Sequence, residues 1–153
     1  MTAMSKIIRA EYNDLQEILD LQYLAYQTEA DRFGRYDIQP LTETLDELKE
    51  QFERGIFLKL VEDDGTIIGS VRAYSKGGTA YIGKLMVHPD YRRKGYATKL
   101  VTEIEKCFPG HRYELYTSTR STENISLYEK LGYRIFDQRP VDEEIVFVYL
   151  EKK

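Results

Sequence analysis

The chain is poor in the residues that build several common kinds of site. Of its 153 residues one is a cysteine, Cys107, and two are histidines, His88 and His111. A lone cysteine excludes disulfide frameworks and multi-cysteine zinc sites, and with two histidines no metal centre is expected. No apolar run approaches the roughly 20 residues that a membrane helix requires, and Met1 to Arg9 lacks the apolar core of a secretory leader. The expected compartment is the cytoplasm, with no membrane partner. Positive charge is also scarce: 22 Lys and Arg stand against 26 Asp and Glu, a net charge of −4. Without a domain-wide positive field no nucleic-acid partner is expected, and any polyanion must be held locally. Neither G-x-x-x-x-G-K-S/T nor G-x-G-x-x-G occurs, which sets aside the ordinary mononucleotide and dinucleotide folds. Repeats, low-complexity tracts and charged linkers are missing too. Residues 1–153 are therefore expected to form one domain, long enough to bury a core without staples.

What is present is a chain whose hydrophobic period changes several times. Lys6 to Tyr12 reads as a short strand, and Asn13 and Asp14 as start signals for a helix that sets Leu15, Ile18, Leu21, Leu24 and Ala25 on one side. Thr44, with Glu47 three residues later, forms a capping box ahead of Leu48 and Phe52, and Gly55 ends this second helix. From Ile56 the period falls to two. Asp63-Asp64-Gly65 and Gly77-Gly78 are turn signals separating three strands of a meander. Ala97, Leu100, Val101, Ile104 and Phe108 return to helical spacing, stopped by Pro109-Gly110. Arg112 to Ser118 is the next strand. A short helix follows, capped by Ser121 or Thr122 and closed by Gly132. Tyr133 to Gln138 and Ile145 to Leu150 bracket Pro140 and an acidic loop as a strand pair. The order β-αα-βββ-α-β-α-ββ describes an α+β or mixed α/β layer protein.

Between the third meander strand and the next helix lies Arg92-Arg93-Lys94-Gly95-Tyr96-Ala97. The first N–H groups of a helix have no internal partner and carry the positive end of its dipole, so they can receive phosphate oxygens. Gly95 lets the backbone come close, Ala97 keeps the first turn clear, and Arg92, Arg93 and Lys94 add charge. The competing reading is an exposed basic loop whose glycine simply makes a turn.

The stretch LMVHPDYRRKGYATKLV, Leu85 to Val101, resembles the acyl-coenzyme A signature of the GNAT superfamily of N-acetyltransferases: Gln or Arg, two residues, Gly, one residue, then Gly or Ala. Arg92, Gly95 and Ala97 match it. The upstream L-x-V-x-P (Leu85, Val87, Pro89) and the later Asn124, Tyr128, Gly132 and Tyr133 match as well. The resemblance implies a central mixed, mostly antiparallel sheet of about seven strands flanked by four helices. It implies acetyl-CoA as cosubstrate, no metal, and transfer of the acetyl group to a primary amine by direct attack in a ternary complex. The acceptor would be a small cationic amine or a peptide amine, and homodimers are common among such proteins.

Carried over by position, the resemblance places the pantetheine arm in a gap beside Leu85, Met86 and Val87, where the Val87 N–H can polarise the thioester carbonyl. The amides from Arg93 to Thr98 would hold the pyrophosphate, within a coenzyme site made of Arg92, Arg93, Lys94, Gly95, Tyr96, Ala97 and Thr98. Tyr128 would protonate the departing thiolate and Asn124, one turn earlier on the same helix face, would orient a water or the pantetheine. The structural alternative for Tyr128 is packing beside Leu127 and Leu131. An alkylammonium must lose a proton before it attacks, yet the central strand reads Tyr81-Ile82-Gly83-Lys84 and offers no carboxylate. His88, read mainly as a turn residue, Tyr81 and a water chain are the remaining bases. That gap motivates a second function: an acyl-CoA-binding regulatory or interaction module without catalysis. Cys107 reads as a small buried apolar residue, His111 as a loop residue, and Lys99 and Arg120 as surface residues. The first two helices and the loop between them, Ala25 to Leu41, with Tyr26, Glu29, Asp31, Phe33, Tyr36 and Asp37, are expected to bind the acceptor.

Overall fold

A computed structural model of the chain describes residues 5–153. The first four residues of the stretch read for a leader lie outside the described residues. Strand β1 (Lys6–Arg9) is followed by a single 3-10 turn and by α1 (Leu15–Ala25), α2 (Gln27–Phe33), α3 (Gln39–Thr42) and α4 (Leu45–Arg54). The meander comes next: β2 (Ile56–Val61), β3 (Ile67–Lys76) and β4 (Thr79–Val87). Then α5 (Tyr96–Lys106), β5 (Arg112–Ser118), α6 (Thr122–Lys130), β6 (Arg134–Pro140) and β7 (Val146–Lys152) complete the order. The expected sheet is present: seven strands in the order β1-β2-β3-β4-β5-β7-β6, antiparallel everywhere except between β4 and β5. The parallel pair is forced by the chain path, because a strand that returns in the same direction needs a crossover, here α5.

Two short helices, α2 and α3, occupy the acceptor region that was expected to be largely loop. Elements of seven and four residues complete too few turns to display a period of 3.6, so the sequence pattern does not announce them. The stripe on α1 is also broader than expected. Leu15, Ile18, Leu21 and Ala25 are buried, whereas Leu24 is 47% exposed, and Leu19 and Gln22 are buried in addition. Gln22 is drawn inside because its amide donates to Glu43 Oε1 (3.0 Å) and to the Pro40 carbonyl (2.8 Å), so α1 has neighbours on a second side.

The capping box of α4 forms as read: Glu47 N–H donates to Thr44 Oγ1 (3.2 Å) and Thr44 N–H to Glu47 Oε1 (2.9 Å). Two apolar layers sandwich the sheet. One face packs Leu58, Val71, Ile82, Leu115 and Val148 against Leu100, Val101 and Ile104 of α5 and Tyr128 of α6. The other packs Phe57, Val61, Ile67 and Met86 against α1 and Leu48 of α4. Among the described residues no helix is long and apolar enough to cross a membrane.

Candidate active site

Two irregularities open the middle of the sheet. Strands β4 and β5 pair only at Thr79–Arg112, Ala80–Tyr113 and Tyr81–Glu114, and beyond Tyr81 they part. On its other side β4 slips against β3: Arg72 faces Gly83, but Ser70 faces Met86, so β4 carries one extra residue there. The slip falls at Lys84, one of two non-glycine residues with positive φ (+50°) among those described. A bulge bends and twists the strand that contains it, and here it coincides with the start of the gap. The gap is continuous with a cavity of about 750 Å³, walled by α1, α2, β4, β5, the start of α5, α6 and the β6–β7 loop.

At one end of this cavity β4 hands over to α5. His88 Nδ1 accepts from Asp90 N–H (3.1 Å) and the ring lies edge-on to Tyr91, which fixes the turn over Pro89–Tyr91. The chain then takes left-handed conformations at Arg93 (φ +64°) and Gly95 (φ +79°) and enters α5 at Tyr96. Lys99 N–H makes the first helical bond of this turn, to Gly95 O (3.2 Å). Among the described residues, none of the N–H groups from Arg93 to Thr98 reaches an internal acceptor. A side-chain carbon built on Gly95 would meet nothing within 4 Å, so the space over these amides is open. Unpaired amides at a helix N-terminus with free space above them are suited to a polyphosphate.

The basic side chains of this loop are less free than the sequence suggests. The Arg92 guanidinium reaches back to α1 and α2, donating to the Ala25 carbonyl (2.8 Å) and Thr28 Oγ1 (2.9 Å), where it satisfies a carbonyl at the α1 terminus. Lys94 sits 5.4 Å from the centre of the Tyr91 ring and does not line the cavity. Leu85, Met86, Val87, Arg92, Arg93, Gly95, Tyr96, Ala97, Thr98, Asn124 and Tyr128 all do. The Tyr96 hydroxyl accepts from Ser5 Oγ (3.2 Å).

Across the gap α6 presents Tyr128 and Asn124 to the cavity. Tyr128 is buried, and burial followed by the Glu29 charge raises its phenol above the ordinary tyrosine value. It is therefore a protonated donor throughout the physiological range. Asn124 Nδ2 donates a long hydrogen bond (3.5 Å) to Thr117 Oγ1, tying α6 to the splayed end of β5. Ser121 stands at the N-cap position of α6, but its hydroxyl donates to Glu29 Oε1 (2.9 Å) rather than to the helix. Tyr26, at the junction of α1 and α2, donates to the Leu85 carbonyl (3.4 Å), so it closes the gap from the opposite wall.

The expected acceptor region does border the cavity through Tyr26, Glu29, Phe33 and Asp37, but Asp31 and Tyr36 pair with each other outside it (2.7 Å). The carboxylates there are engaged. Glu29 accepts from Ser121, and Asp37 is bridged to Arg35 (3.0 Å), which also binds Asp142 of the β6–β7 loop. The other base candidates do not arrive: His88 caps its turn, and Tyr81 stacks on Tyr74 with ring centres 5.1 Å apart. Cys107 Sγ donates to Glu103 O at the end of α5, and His111 contacts Ser75 Oγ (2.8 Å), both away from the cavity. Lys99 and Arg120 rest over the rings of Tyr96 and Phe33.

The residues that sequence reasoning missed are Lys84 and a buried polar cluster beside it. Glu43 and Arg72, both almost fully buried, form an ion pair (2.6 Å) on the α1 side of the sheet. Burial pushes the Glu43 carboxyl up, but Arg72, Gln22 and Lys84 outweigh it and hold it charged. A single charge inside the otherwise apolar Thr79–Val87 strand was the available signal.

With this geometry in place, the sequence pattern of the acetyltransferase (GNAT) family matches residues 13–133. The chain belongs to the GNAT family. A protein named acetyltransferase from Yersinia pestis (strain Pestoides F) is 35% identical over 96 residues, which span 60% of this chain and 66% of that protein. The catalytic subunit of the N-terminal acetyltransferase B complex from Arabidopsis thaliana is 32% identical over 76 residues, 47% of this chain and 44% of that one. The fold agrees with the crystal structure of the PaiA N-acetyltransferase from Thermoplasma acidophilum in complex with coenzyme A. That match has a TM-score of 0.81 at 20% identity, covering 98% and 99% of the two chains.

Proposed function

We propose that the protein transfers the acetyl group of acetyl-CoA to a primary amine by direct attack within a ternary complex. The observation that carries this reading is one continuous cavity that joins the unpaired amides of Arg93 to Thr98, the gap between β4 and β5, and the buried Tyr128 hydroxyl. The amides bind the pyrophosphate, and the open space above Gly95 lets it approach the backbone. Leu85, Met86 and Val87 give the pantetheine arm a strand edge in the gap, where β5 no longer pairs with β4. Tyr128, kept protonated by its burial, donates to the sulfur as the carbon–sulfur bond breaks. Asn124 orients the arm from the same helix face.

The acceptor enters between the α2–α3 segment and the β6–β7 loop, which Arg35 ties together through Asp37 and Asp142. Because these carboxylates already have cationic or hydroxyl partners, a cationic acceptor gains little from them. The N-terminal acetyltransferase relative supports a peptide amine as the acceptor. The test is a free-thiol release assay over a panel of peptide and small amines, with calorimetry of acetyl-CoA. Thiol release with an acceptor and coenzyme binding in the micromolar range support transfer. Coenzyme binding without turnover on any amine supports the regulatory or interaction module instead.

A further inference from the structure

Strand β4 reads TAYIGKLMV and contains one charged residue, Lys84. The extra residue of the bulge and the positive φ of Lys84 put a bulky side chain in a backbone conformation that few residues other than glycine adopt. Such strain persists where the surroundings over-determine it, commonly at functional sites. Here it delivers Lys84 to the cavity wall, next to the Glu43–Arg72 pair and under the gap between β4 and β5.

The nearest carboxylate has no room for it. Glu43 accepts from Arg72 Nη2 (2.6 Å), Gln22 Nε2 (3.0 Å), Gln39 Nε2 (3.2 Å) and Gln51 Nε2 (2.5 Å). A carboxylate offers about four lone-pair sites, so these donors fill it. Lys84 Nζ makes no hydrogen bond or ion pair with another described residue, and Lys84 lines the cavity. Burial first, and the Arg72 cation second, lower its pKa to about 8 against a smaller opposing pull from Glu43. Of the other groups around it, Tyr26 and Tyr128 are pushed up by burial, and so is Tyr116 on β5. Arg72 from β3, Glu43 from the end of α3 and Glu29 from α2 supply the fixed charges.

We propose that Lys84 is the proton acceptor of the reaction, in place of the carboxylate that β4 lacks. This rests on the acetyl-transfer reading above. The neutral ε-amine takes a proton from the acceptor R–NH3+, giving R–NH2 and the Lys84 ammonium. The amine nitrogen then bonds to the acetyl carbon, the carbon–sulfur bond breaks, Tyr128 protonates the sulfur, and the second proton lost by nitrogen returns through the cavity to the Tyr128 oxygen. Lys84 afterwards releases its proton to solvent, so one proton leaves per turnover.

The experiment compares wild type, Lys84→Met and Lys84→Arg with an acceptor whose own pKa is near 10. For wild type, log kcat/KM should rise with a slope near one below pH 8, where Lys84 must be neutral while the acceptor binds as R–NH3+, and level off between there and the acceptor's own pKa. Lys84→Met should lose about 10²-fold in kcat/KM at pH 8, the lower bound for general-base catalysis, and keep rising with a slope near one up to the acceptor's own pKa, because only acceptor already neutral in solution can then react. Its melting temperature at pH 7 should rise, because a desolvated ammonium has been removed, and its affinity for acetyl-CoA should stay unchanged. Lys84→Arg should be equally slow without that gain. A structural lysine would move activity and stability in the same direction. An active wild type with Lys84→Met matching its rate and pH slope overturns the proposal and leaves acetyl transfer standing. So does an acetyl group found on Lys84 in a form competent for transfer, which would make it a carrier. Absence of thiol release by wild type with every amine defeats the underlying reading itself.

Discussion

The donor end of the cavity and its acceptor end are made of different material. At the proposed donor end the groups open to a ligand are main-chain amides from one stretch, Arg93 to Thr98, set by two left-handed residues and a helix start. At the proposed acceptor end they are side chains from five separated places, Tyr26, Glu29, Lys84, Tyr128 and Asp142, with the buried Glu43–Arg72 pair behind Lys84. A backbone site tolerates change in its side chains but not in its conformation, whereas a side-chain site fails one residue at a time. The spent guanidinium of Arg92 illustrates the first half of that contrast, since its charge serves α1 while its amide neighbourhood stays open.

The contrast can be broken most sharply at the acceptor end. Glu43→Ala leaves Arg72 buried without a counter-charge, and removal of one partner of a buried pair costs about 3–5 kcal/mol. Denaturant unfolding should register that loss, and acetyl-CoA affinity measured on the remaining folded protein should change far less. Tyr128→Phe should lower kcat by about 10²-fold, about 2.7 kcal/mol in the barrier. Its calorimetric affinity for acetyl-CoA should match wild type, and an unchanged kcat would remove Tyr128 as the acid.

The donor end is sharpened by a pair of glycines. Gly95 (φ +79°) and Gly34 (φ +66°) are both left-handed with nothing within 4 Å of a built side-chain carbon. Alanine at either should cost about 1–2 kcal/mol of backbone strain. Only Gly95→Ala should weaken acetyl-CoA binding, by about tenfold, since only there does the proposed site bring the pyrophosphate against the backbone. Equal binding by both variants would displace the pyrophosphate from the α5 N-terminus.

The smallest effect concerns the clasp over the acceptor entrance. The Arg35 guanidinium, with two backbone N–H donors from Glu144 and Ile145, holds the Asp142 carboxyl down to about 2. Because the folded value lies below the ordinary ~3.9, the clasp is complete above pH 4 and is lost as pH falls through about 2. An NMR titration of Asp142 should show that low midpoint, and faster amide exchange in residues 141–145 should accompany protonation. Asp142→Asn should show the faster exchange at neutral pH.

The same contrast explains how much was legible beforehand. The run from Leu85 to Val101, the alternation of period along the meander, the capping box at Thr44 and the pair Asn124–Tyr128 are local patterns, and the strands and the longer helices follow from them. Lys84 stood in plain view in the sequence. Its meaning did not, because a lysine in a strand usually reaches open solvent, whereas the bulge leaves this one half-buried in the cavity wall beside a carboxylate already filled by four other donors. Glu43 read as the residue before a helix cap, and nothing in its neighbourhood pointed to Arg72, 29 positions away. The Arg35–Asp142 clasp spans 107 positions and has no local signature.

The sequence by itself determined the strands, the longer helices and the basic turn ahead of α5, since each of these depends on interactions among residues a few positions apart. Tertiary structure alone decided which charges would be neutralised and which left unpaired. Protonation depends on desolvation and on the nearest opposite charge, and both are set by chain segments that meet only when the sheet has closed around its two splayed strands.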